Sequence, residues 1–203
     1  KTFTYSYDLG GNLTSRSEYS YQTGETIVGA PLQTDSYTYG DSDWKDKLTA
    51  FNGQPITYDA IGNPLSYYNG FSFTWTQGRK LATASDGSTS VSYSYDPSGY
   101  RLSKTVNGVK TEYLLDGSKI LREKTGSSVL EYYYDESGAP YAFRKNGTVY
   151  VYTKNLQGDV TGIVGVCGRV LVKYTYDAWG SFIAENAAGT TEAQGLIDAN
   201  PYL

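Results

Sequence analysis

Histidine and methionine are both absent from this 203-residue chain, and cysteine occurs once, at Cys167. The lack of histidine removes the most common general base and the most common metal ligand, so any chemistry would have to come from carboxylates, lysine, tyrosine or Cys167. A single cysteine excludes an internal disulfide, so we expect the fold to form without covalent cross-links. Because position 1 is not methionine, we interpret the sequence as a piece of a longer polypeptide.

Basic blocks and long apolar runs are also missing. The 17 Lys and Arg residues and the 21 Asp and Glu residues are scattered along the chain and give a formal net charge of −4. This distribution argues against nucleic-acid binding. No apolar run approaches the ~20 residues that a membrane helix needs, and the N-terminus has no signal-like segment. We therefore expect no membrane span, and we expect any export signal of a parent protein to lie outside this sequence.

Tyrosine and glycine, in contrast, are abundant. The chain contains 22 Tyr but 6 Phe and 3 Trp, together with 23 Gly. A dry core would favour Phe, Leu and Ile, whereas a tyrosine hydroxyl needs water or a hydrogen-bond partner when it is buried. This composition predicts strands with broad, semi-polar surfaces that are broken by frequent turns.

One motif recurs along the chain: an aromatic residue, any residue, Tyr, Asp, two residues and Gly. A near copy begins with Ile56 in place of the first aromatic residue. A motif repeated at a spacing of about 20 residues is the signature of a repeat architecture. The Tyr, Asp and Gly of the five copies are Tyr7, Asp8 and Gly11; Tyr58, Asp59 and Gly62; Tyr95, Asp96 and Gly99; Tyr134, Asp135 and Gly138; Tyr176, Asp177 and Gly180.

Degenerate copies lie between the complete ones. We place their second aromatic residue, or its equivalent, at Tyr39, Trp75, Leu115 and Tyr152. From Tyr39 onward, these positions and the complete copies make a nearly regular series in which only the step from Tyr152 to Tyr176 is longer. Before Tyr39 the spacing is looser. Three of the degenerate copies, at Tyr39, Trp75 and Tyr152, lack the Asp, so their turns are expected to differ.

The motif has a direct structural interpretation. Side chains alternate along a strand, so Tyr-x-Tyr places two rings on the same face. Asp then occupies the first position of a four-residue turn and Gly the fourth, which are the preferences of a type I turn. The Asp carboxylate can accept hydrogen bonds from nearby backbone amides. We therefore interpret the repeated carboxylates as turn-forming groups and not as catalytic or metal-binding groups.

A second type of turn alternates with the first. It consists of Asn-Gly or Asp-Gly pairs, which are strong signals for two-residue hairpins. The two turns together predict an all-β chain of tandem antiparallel hairpins, a long meander of about 16–20 short strands that twists or curls. These pairs begin at Asn52, Asn69, Asp86, Asn107, Asp116 and Asn146.

The C-terminal part has a different composition. Residues 183–203 contain five alanines, and Thr190 could cap a short helix, although Gly189 and Gly195 weaken that prediction. We therefore divide the chain into a repeat array at 1–182 and an Ala-rich tail at 183–203.

The repeated residues resemble the RHS/YD-repeat family over nearly the whole chain, from Tyr5 to Phe182. The segment from Leu156 to Gly162, followed by the copy at Tyr176, looks like the start of the RHS-associated core of that family, near 150–182. The combination is especially similar to wall-associated and polymorphic-toxin proteins of Gram-positive bacteria.

The resemblance implies a structural role and no enzymatic activity for this chain. In the family, the repeats form a β-sheet shell that encloses a C-terminal toxin domain. It implies a secreted or cell-wall location in a bacterium, with the rest of the parent protein and its toxin cargo as partners. No cofactor and no metal are expected, and the exposed edge strands of a repeat array make self-association a further expectation.

Other candidate sites have simpler structural interpretations. Asp41, Asp43 and Asp46 lack the glycine and glutamate spacing of an EF-hand loop, so we interpret them as a solvated loop. The spacing of Gly162, Gly165 and Gly168 does not match a phosphate-binding loop and suggests a glycine-rich hairpin. Cys167 has no histidine partner, so a turn or strand position is expected.

Two alternative functions stay open at this stage. Tyrosine stripes can stack on sugar rings, so a carbohydrate-binding or cell-wall-binding repeat is the main alternative, although packing between neighbouring repeats explains the same stripes. A glycosidase-like pair of carboxylates is the other alternative.

Overall fold

A computed structural model of the chain describes residues 1–24 and 26–200. It is almost entirely antiparallel β-structure, as the alternating aromatic residues and closely spaced turns predict, with 17 strands and one short helix in the described ranges. The all-β hairpin fold predicted from the sequence is therefore confirmed. By contact density the chain separates into two compact units, one of Lys1–Ser94 with Thr105–Gly108 and one of Tyr95–Lys104 with Val109–Leu203.

Unit 1 contains strands β1 to β7, β8 except its last residue, and the last two residues of β9. Strands β1 to β5 form a sheet in chain order, and β6, β7 and β8 pair consecutively. The strands are β1 (Thr2–Tyr7), β2 (Leu13–Tyr19), β3 (Gln33–Thr38), β4 (Ala50–Phe51), β5 (Gln54–Pro55), β6 (Ser72–Thr76), β7 (Lys80–Ser85) and β8 (Ser90–Tyr95).

Unit 2 contains most of β9 and all of the later elements. From β10 onward each strand pairs with the next, and the helix α1 follows the last strand. The elements are β9 (Arg101–Val106), β10 (Val109–Asp116), β11 (Lys119–Thr125), β12 (Ser128–Tyr134), β13 (Pro140–Lys145), β14 (Thr148–Lys154), β15 (Val160–Gly165), β16 (Val170–Tyr176), β17 (Phe182–Asn186) and α1 (Thr191–Ile197).

The repeat turns introduce an irregularity at the same point of several hairpins. The register shifts at Tyr7, at Trp75 and at Tyr134, each time at the second aromatic position of the motif. After Tyr7 and Tyr134 the turn ends in a glycine at positive φ, Gly11 or Gly138, which leaves one strand with an extra residue to accommodate. The turn after Trp75 differs, because Gln77 and Gly78 both have positive φ. The bulge increases local twist, so the motif shapes the sheet as well as reversing the chain.

The Asn-Gly turns fall into two structural groups. At Asn52, Asn107 and Asn146 both residues of the pair have positive φ, which is the two-residue hairpin turn expected from the sequence. Asn69 differs: it is the third residue of a four-residue turn in which the Gly70 amide donates to the Tyr67 carbonyl. The prediction of a two-residue hairpin at Asn69 was therefore wrong, because that turn has the geometry of the Asp-x-x-Gly motif.

The largest buried cluster lies in unit 2, on one face of β12 to β16. It combines aromatic and aliphatic side chains with two residues of α1, Ala193 and Leu196. Phe143, Ile163, Val172 and Leu196 are each 1% exposed or less. A sheet face is buried only where a second layer covers it, and here α1 is part of that layer.

Candidate functional site

The repeated carboxylates all lie in chain reversals, and each is held by its own turn. In the five copies the Gly amide donates to the Asp carbonyl at 2.9–3.2 Å. In every copy the carboxylate Oδ1 also accepts from the backbone amide four residues later, at 2.8–2.9 Å. The glycine takes a positive φ between 83° and 87°, which other residues adopt at a cost. The carboxylates are Asp8, Asp59, Asp96, Asp135 and Asp177.

In four of the five copies these hydrogen bonds also stabilise the ionised form of the carboxylate. The pKa of Asp8 is lowered chiefly because the Asn12 side chain donates to it at 2.9 Å. Burial acts to raise the pKa of Asp59, but donors from the backbone and side chain of Asn63 outweigh it and the pKa is lowered. The same direction holds for two further turn carboxyls, Asp135 and Asp177. A carboxylate held in this way is a poor proton donor at neutral pH.

The bond from a Gly amide to the carbonyl three residues earlier also closes turns without the Tyr-Asp pair, which begin at Tyr67, Asn155, Gly165 and Asn186. In the clearest, Asn155 replaces the aspartate: its Oδ1 accepts from the amides of Gln157 and Asp159, and the Gly158 amide donates to its carbonyl. The residue before this turn is Lys154, so Tyr152 occupies the first aromatic position of the motif and not the second. Our alignment of Tyr152 was therefore wrong, and an Asn-x-x-Gly pattern was the signal that could have identified the turn.

The second aromatic residue of the motif links neighbouring hairpins through its polar atom. The Tyr134 hydroxyl donates to the Ile120 carbonyl at 2.6 Å, and the Trp75 Nε1 donates to the Pro64 carbonyl at 2.7 Å. Each acceptor belongs to an earlier hairpin than its donor. In these copies the bond requires a Tyr or Trp side chain, because Phe has no polar atom to donate. Equivalent bonds run from Tyr39 to Leu13, from Tyr58 to Leu48 and from Tyr176 to Val160.

Removing one of these hydroxyls should weaken the fold. We expect Tyr134→Phe to lower the free energy of unfolding by about 1 kcal/mol, because the Ile120 carbonyl loses its donor while the ring stays in place. Chemical denaturation followed by circular dichroism measures this. Tyr141→Phe is the matched control, since the Tyr141 side chain is about half exposed. Equal effects of the two substitutions would show that the bond to Ile120 contributes nothing.

The tyrosines of β14 and β16 contact the segment that contains α1. The Tyr150 hydroxyl donates to Glu192 at 2.7 Å, the Tyr152 hydroxyl donates to Asn200 Oδ1 at 2.9 Å, and Asn200 Nδ2 donates to the Tyr174 hydroxyl at 3.2 Å. All three rings are buried. The tail therefore provides the polar partners that buried tyrosines require.

Alkaline pH should weaken this contact. Burial, and then the hydrogen bond to the Glu192 carboxylate, raises the pKa of Tyr150 to about 12, above the value near 10 of an unfolded tyrosine. Stability from Tyr150 is complete below pH 10 and is lost as the pH rises from about 10 to 12. We expect the stability advantage of the wild type over Tyr150→Phe to shrink across that range in denaturation curves. Parallel curves would contradict this.

The remaining candidate residues lie in loops and turns. The Asp41 carboxylate accepts from the amides of Asp43 and Trp44 and forms an ion pair with Lys47, which lowers the pKa of Asp41 to about 2. Cys167 is exposed, in the turn from Gly165 to Gly168. Among residues 1–24 and 26–200 no group of three or more Cys, Asp or Glu side chains could hold a metal ion. Nor is any helix of these residues long and apolar enough to cross a membrane.

Comparison with known proteins identifies related sequences. No family model matches the chain. The tRNA3(Ser)-specific nuclease WapA of Bacillus spizizenii (strain DSM 15029 / JCM 12233 / NBRC 101239 / NRRL B-23049 / TU-B-10) is 36% identical over 164 residues, and the tRNA nuclease WapA of Bacillus subtilis (strain 168) is 34% identical over 205 residues. The matches cover 77% and 98% of this chain but only 7% and 8% of the relatives.

A solved structure shares the fold. The crystal structure of TcdB2-TccC3-TEV matches 95% of this chain and 10% of its own chain, with a TM-score of 0.50 and 16% sequence identity. At that identity the match concerns the fold alone. The chain thus corresponds to a short segment of much longer proteins, and its sequence relatives and its fold support a resemblance to RHS-type proteins.

Proposed function

We propose that the chain is a non-catalytic structural segment of a secreted or cell-surface protein of the RHS/YD-repeat type. In this proposal it forms part of a β-shell that encloses or presents a C-terminal toxin domain. The main support for the proposal is that the motif residues form hydrogen bonds within the fold. The turn carboxylates accept from their own backbone, and the second aromatic residue bonds to an earlier hairpin, as Asp135 and Tyr134 illustrate.

The names of the relatives suggest where an activity would lie. Both WapA relatives are named as tRNA nucleases, yet the matched segment is less than a tenth of their length. The turn carboxylates of this chain accept hydrogen bonds from their own backbone, which suits them poorly for acid–base catalysis. We therefore assign the nuclease activity to a part of those proteins outside the matched segment.

The predicted arrangement of the parent protein forms part of the proposal. Residues 1–182 would be the repeat array and 183–203 a tail that packs on it, with the rest of the parent protein and its toxin domain as partners. The last strand, β17, pairs with β16 and ends its sheet. Within residues 1–24 and 26–200 no second strand pairs with β17. Such a sheet edge accepts another strand, so we infer that a further hairpin of the parent, or a second copy, pairs there.

A cleavage assay tests the non-catalytic part of the proposal. The purified chain is incubated with total bacterial tRNA and Mg²⁺, and the products are resolved on a denaturing gel. We expect intact tRNA, with a known ribonuclease as the positive control. Cleavage that persists through further purification and is lost in Asp135→Asn or Asp177→Asn would overturn the assignment of these residues to turns.

Limited proteolysis tests the shell. The longer polypeptide that contains this segment is digested in two forms, wild type and with both Tyr134→Phe and Tyr176→Phe, which remove two bonds between hairpins. We expect a C-terminal domain that resists protease in the wild type and becomes susceptible in the variant. Tyr141→Phe serves as the control. Equal protection in all three forms would count against enclosure by this segment.

A further inference from the structure

The hydrogen bonds between hairpins follow one positional rule. The acceptor is the carbonyl of the residue that pairs, across a turn, with the second motif position of the same hairpin. Leu13, for example, pairs with Tyr7, and its carbonyl accepts from the Tyr39 hydroxyl at 3.1 Å. The rule predicts which carbonyl and which ring an added hairpin would use. The same relation links Pro64, which pairs with Tyr58, to Trp75; Ile120, which pairs with Leu115, to Tyr134; and Val160, which pairs with Lys154, to Tyr176.

The registers of the paired strands explain the rule. When the pairing of β15 with β16 is continued toward the turn, Val160 lies opposite Thr175, the residue just before the donor Tyr176. The pairings of β2 with β3 and of β11 with β12 place Leu13 and Ile120 opposite the residue before their donors in the same way. The donor side chain therefore reaches across to the neighbouring strand, which requires antiparallel strands in one fixed register.

Phe182 occupies the acceptor position in the hairpin of β16 and β17. It pairs with Tyr176 across the motif turn and is the first residue of β17. This strand is at the end of its sheet, and residues 187–200 add no further strand. The side chains of Phe182 and Ile183 are 46% and 73% exposed. The Phe182 carbonyl is therefore an acceptor position for which the described chain supplies no later motif donor.

Tyr7 occupies the donor position in the first hairpin of the series, that of β1 and β2. Strand β1 is at the edge of its sheet, and among residues 1–24 and 26–200 no strand precedes it. The Tyr7 side chain is 61% exposed and that of Tyr5 is 51% exposed. An edge strand with exposed aromatic side chains is ready to pair with another chain.

The two open edges match each other in register. The rule places Phe182 opposite Ser6, so that the Tyr7 hydroxyl reaches the Phe182 carbonyl. The same register brings Tyr5 opposite Ile183, and both side chains are more than half exposed in the single chain. Aromatic and β-branched side chains that face each other across antiparallel strands stabilise a sheet. Pairing of the edges would therefore satisfy the rule and cover two exposed side chains at once.

We propose that β17 of one copy of the chain pairs antiparallel with β1 of a second copy, with the Tyr7 hydroxyl of one on the Phe182 carbonyl of the other. A second copy fits this edge better than an unrelated peptide, because the edge requires Tyr or Trp at one register position and β1 ends in such a residue. The contact joins two different edges, so it is head-to-tail. It rests on the open β17 edge of the proposed function, and it does not depend on the shell.

Sedimentation velocity of the full chain tests the pairing at concentrations from about 10 µM to about 1 mM, because a contact between two short strands is expected to be weak. We expect the weight-average mass of the wild type to rise with concentration. Tyr7→Phe should raise the dissociation constant about fivefold, since it removes one neutral hydrogen bond. Tyr21→Phe is the matched control and should behave as the wild type, because Tyr21 is 74% exposed and lies outside the strands.

Variants blocked at one edge test the head-to-tail arrangement. Tyr5→Glu places a charge on β1, and Ile183→Glu places one on β17. Both sites are more than half exposed, so the fold should stay intact. Each variant alone should be monomeric, whereas an equimolar mixture should form a one-to-one dimer through the two unblocked edges. Val166→Glu should associate as the wild type does, because Val166 is 76% exposed in a turn outside both strands.

Several results would overturn the pairing. They are a wild type that stays monomeric throughout, equal dissociation constants for Tyr7→Phe and Tyr21→Phe, and a mixture of the blocked variants that stays monomeric. Association of Tyr5→Glu alone at the wild-type level would also overturn it, since β17 would then pair with itself. The shell is tested separately by proteolysis of the longer polypeptide. A protected C-terminal domain together with a monomeric chain would reject the pairing alone, and association without protection would reject the shell alone.

Discussion

Replacing Phe143 with alanine should lower the free energy of unfolding by about 3–5 kcal/mol. The Phe143 ring is 1% exposed, and its centroid lies 5.2 Å from those of both Tyr150 and Tyr152. These two tyrosines hold the tail through their hydroxyls, so a cavity at Phe143 removes the packing behind that contact. The loss should appear as an earlier unfolding transition in urea, followed by tyrosine fluorescence and circular dichroism.

The strand that carries Phe143 supplies the control. Tyr141 lies two residues earlier on β13, but it is 47% exposed, and its main aromatic neighbour is Tyr133 at a centroid distance of 6.5 Å. We expect Tyr141→Ala to cost about 1 kcal/mol or less, the value of an exposed cross-strand pair. If Phe143→Ala and Tyr141→Ala have equal effects, the buried cluster does not control the stability of unit 2.

Within β15, Gly162→Ala should destabilise the protein more than Gly165→Ala, although each substitution adds only one methyl group. A Cβ at this position would lie 2.7 Å from the Val172 carbonyl oxygen and 3.0 Å from Thr153 Oγ1. The carbonyl belongs to the neighbouring strand and cannot move without disturbing the pairing of β15 with β16. We expect a loss of about 1–3 kcal/mol, the usual cost of overpacking, in the same denaturation experiment.

Gly165 offers a matched comparison on the same strand. Its added Cβ would meet Leu171 Cδ1 at 3.4 Å, an ordinary contact with a flexible side chain. Neither Gly162 nor Gly165 has a positive φ, so the backbone conformation of each accepts alanine. Gly165→Ala should therefore change stability by less than about 1 kcal/mol in either direction. A loss at Gly165 as large as that at Gly162 would mean that the close approach to Val172 is not the cause.

The turns could be predicted from the local sequence because each turn is closed by hydrogen bonds between its own residues. Asp59, for example, bonds only two and four residues away through Oδ1, and Asn146 and Gly147 take the backbone conformation that their dipeptide favours. The errors occurred where the turn residues were less distinctive. At Asn69 the sequence pattern favoured a two-residue hairpin, and at Asn155 it did not identify the turn, because Asn suits both types of turn.

The polar network around Asp35 shows what such local patterns miss. Asp35 is 2% exposed and accepts hydrogen bonds from Arg16, Gln33 and Asn52. Two of these donors lie 17 and 19 residues away along the chain. Nothing in the sequence around Asp35 distinguishes it from the exposed acids of the chain, because its burial depends on how three strands are brought together.

The sequence by itself determined the hairpins of this protein: alternating tyrosines, acidic turns and glycines act over two to five residues and specify where the chain extends and where it reverses. Only the tertiary structure decided which tyrosines are buried. Tyr150, Tyr152 and Tyr174 are buried because Glu192, Leu196 and Asn200 cover their face, whereas Tyr5 and Tyr7 of the first copy are more than half exposed. Tyr5 and Tyr174 are both the first aromatic residue of a complete copy of the motif, yet only Tyr174 is buried. The difference comes from contacts across more than 40 residues, which bring a second layer onto one sheet face and which no local pattern encodes.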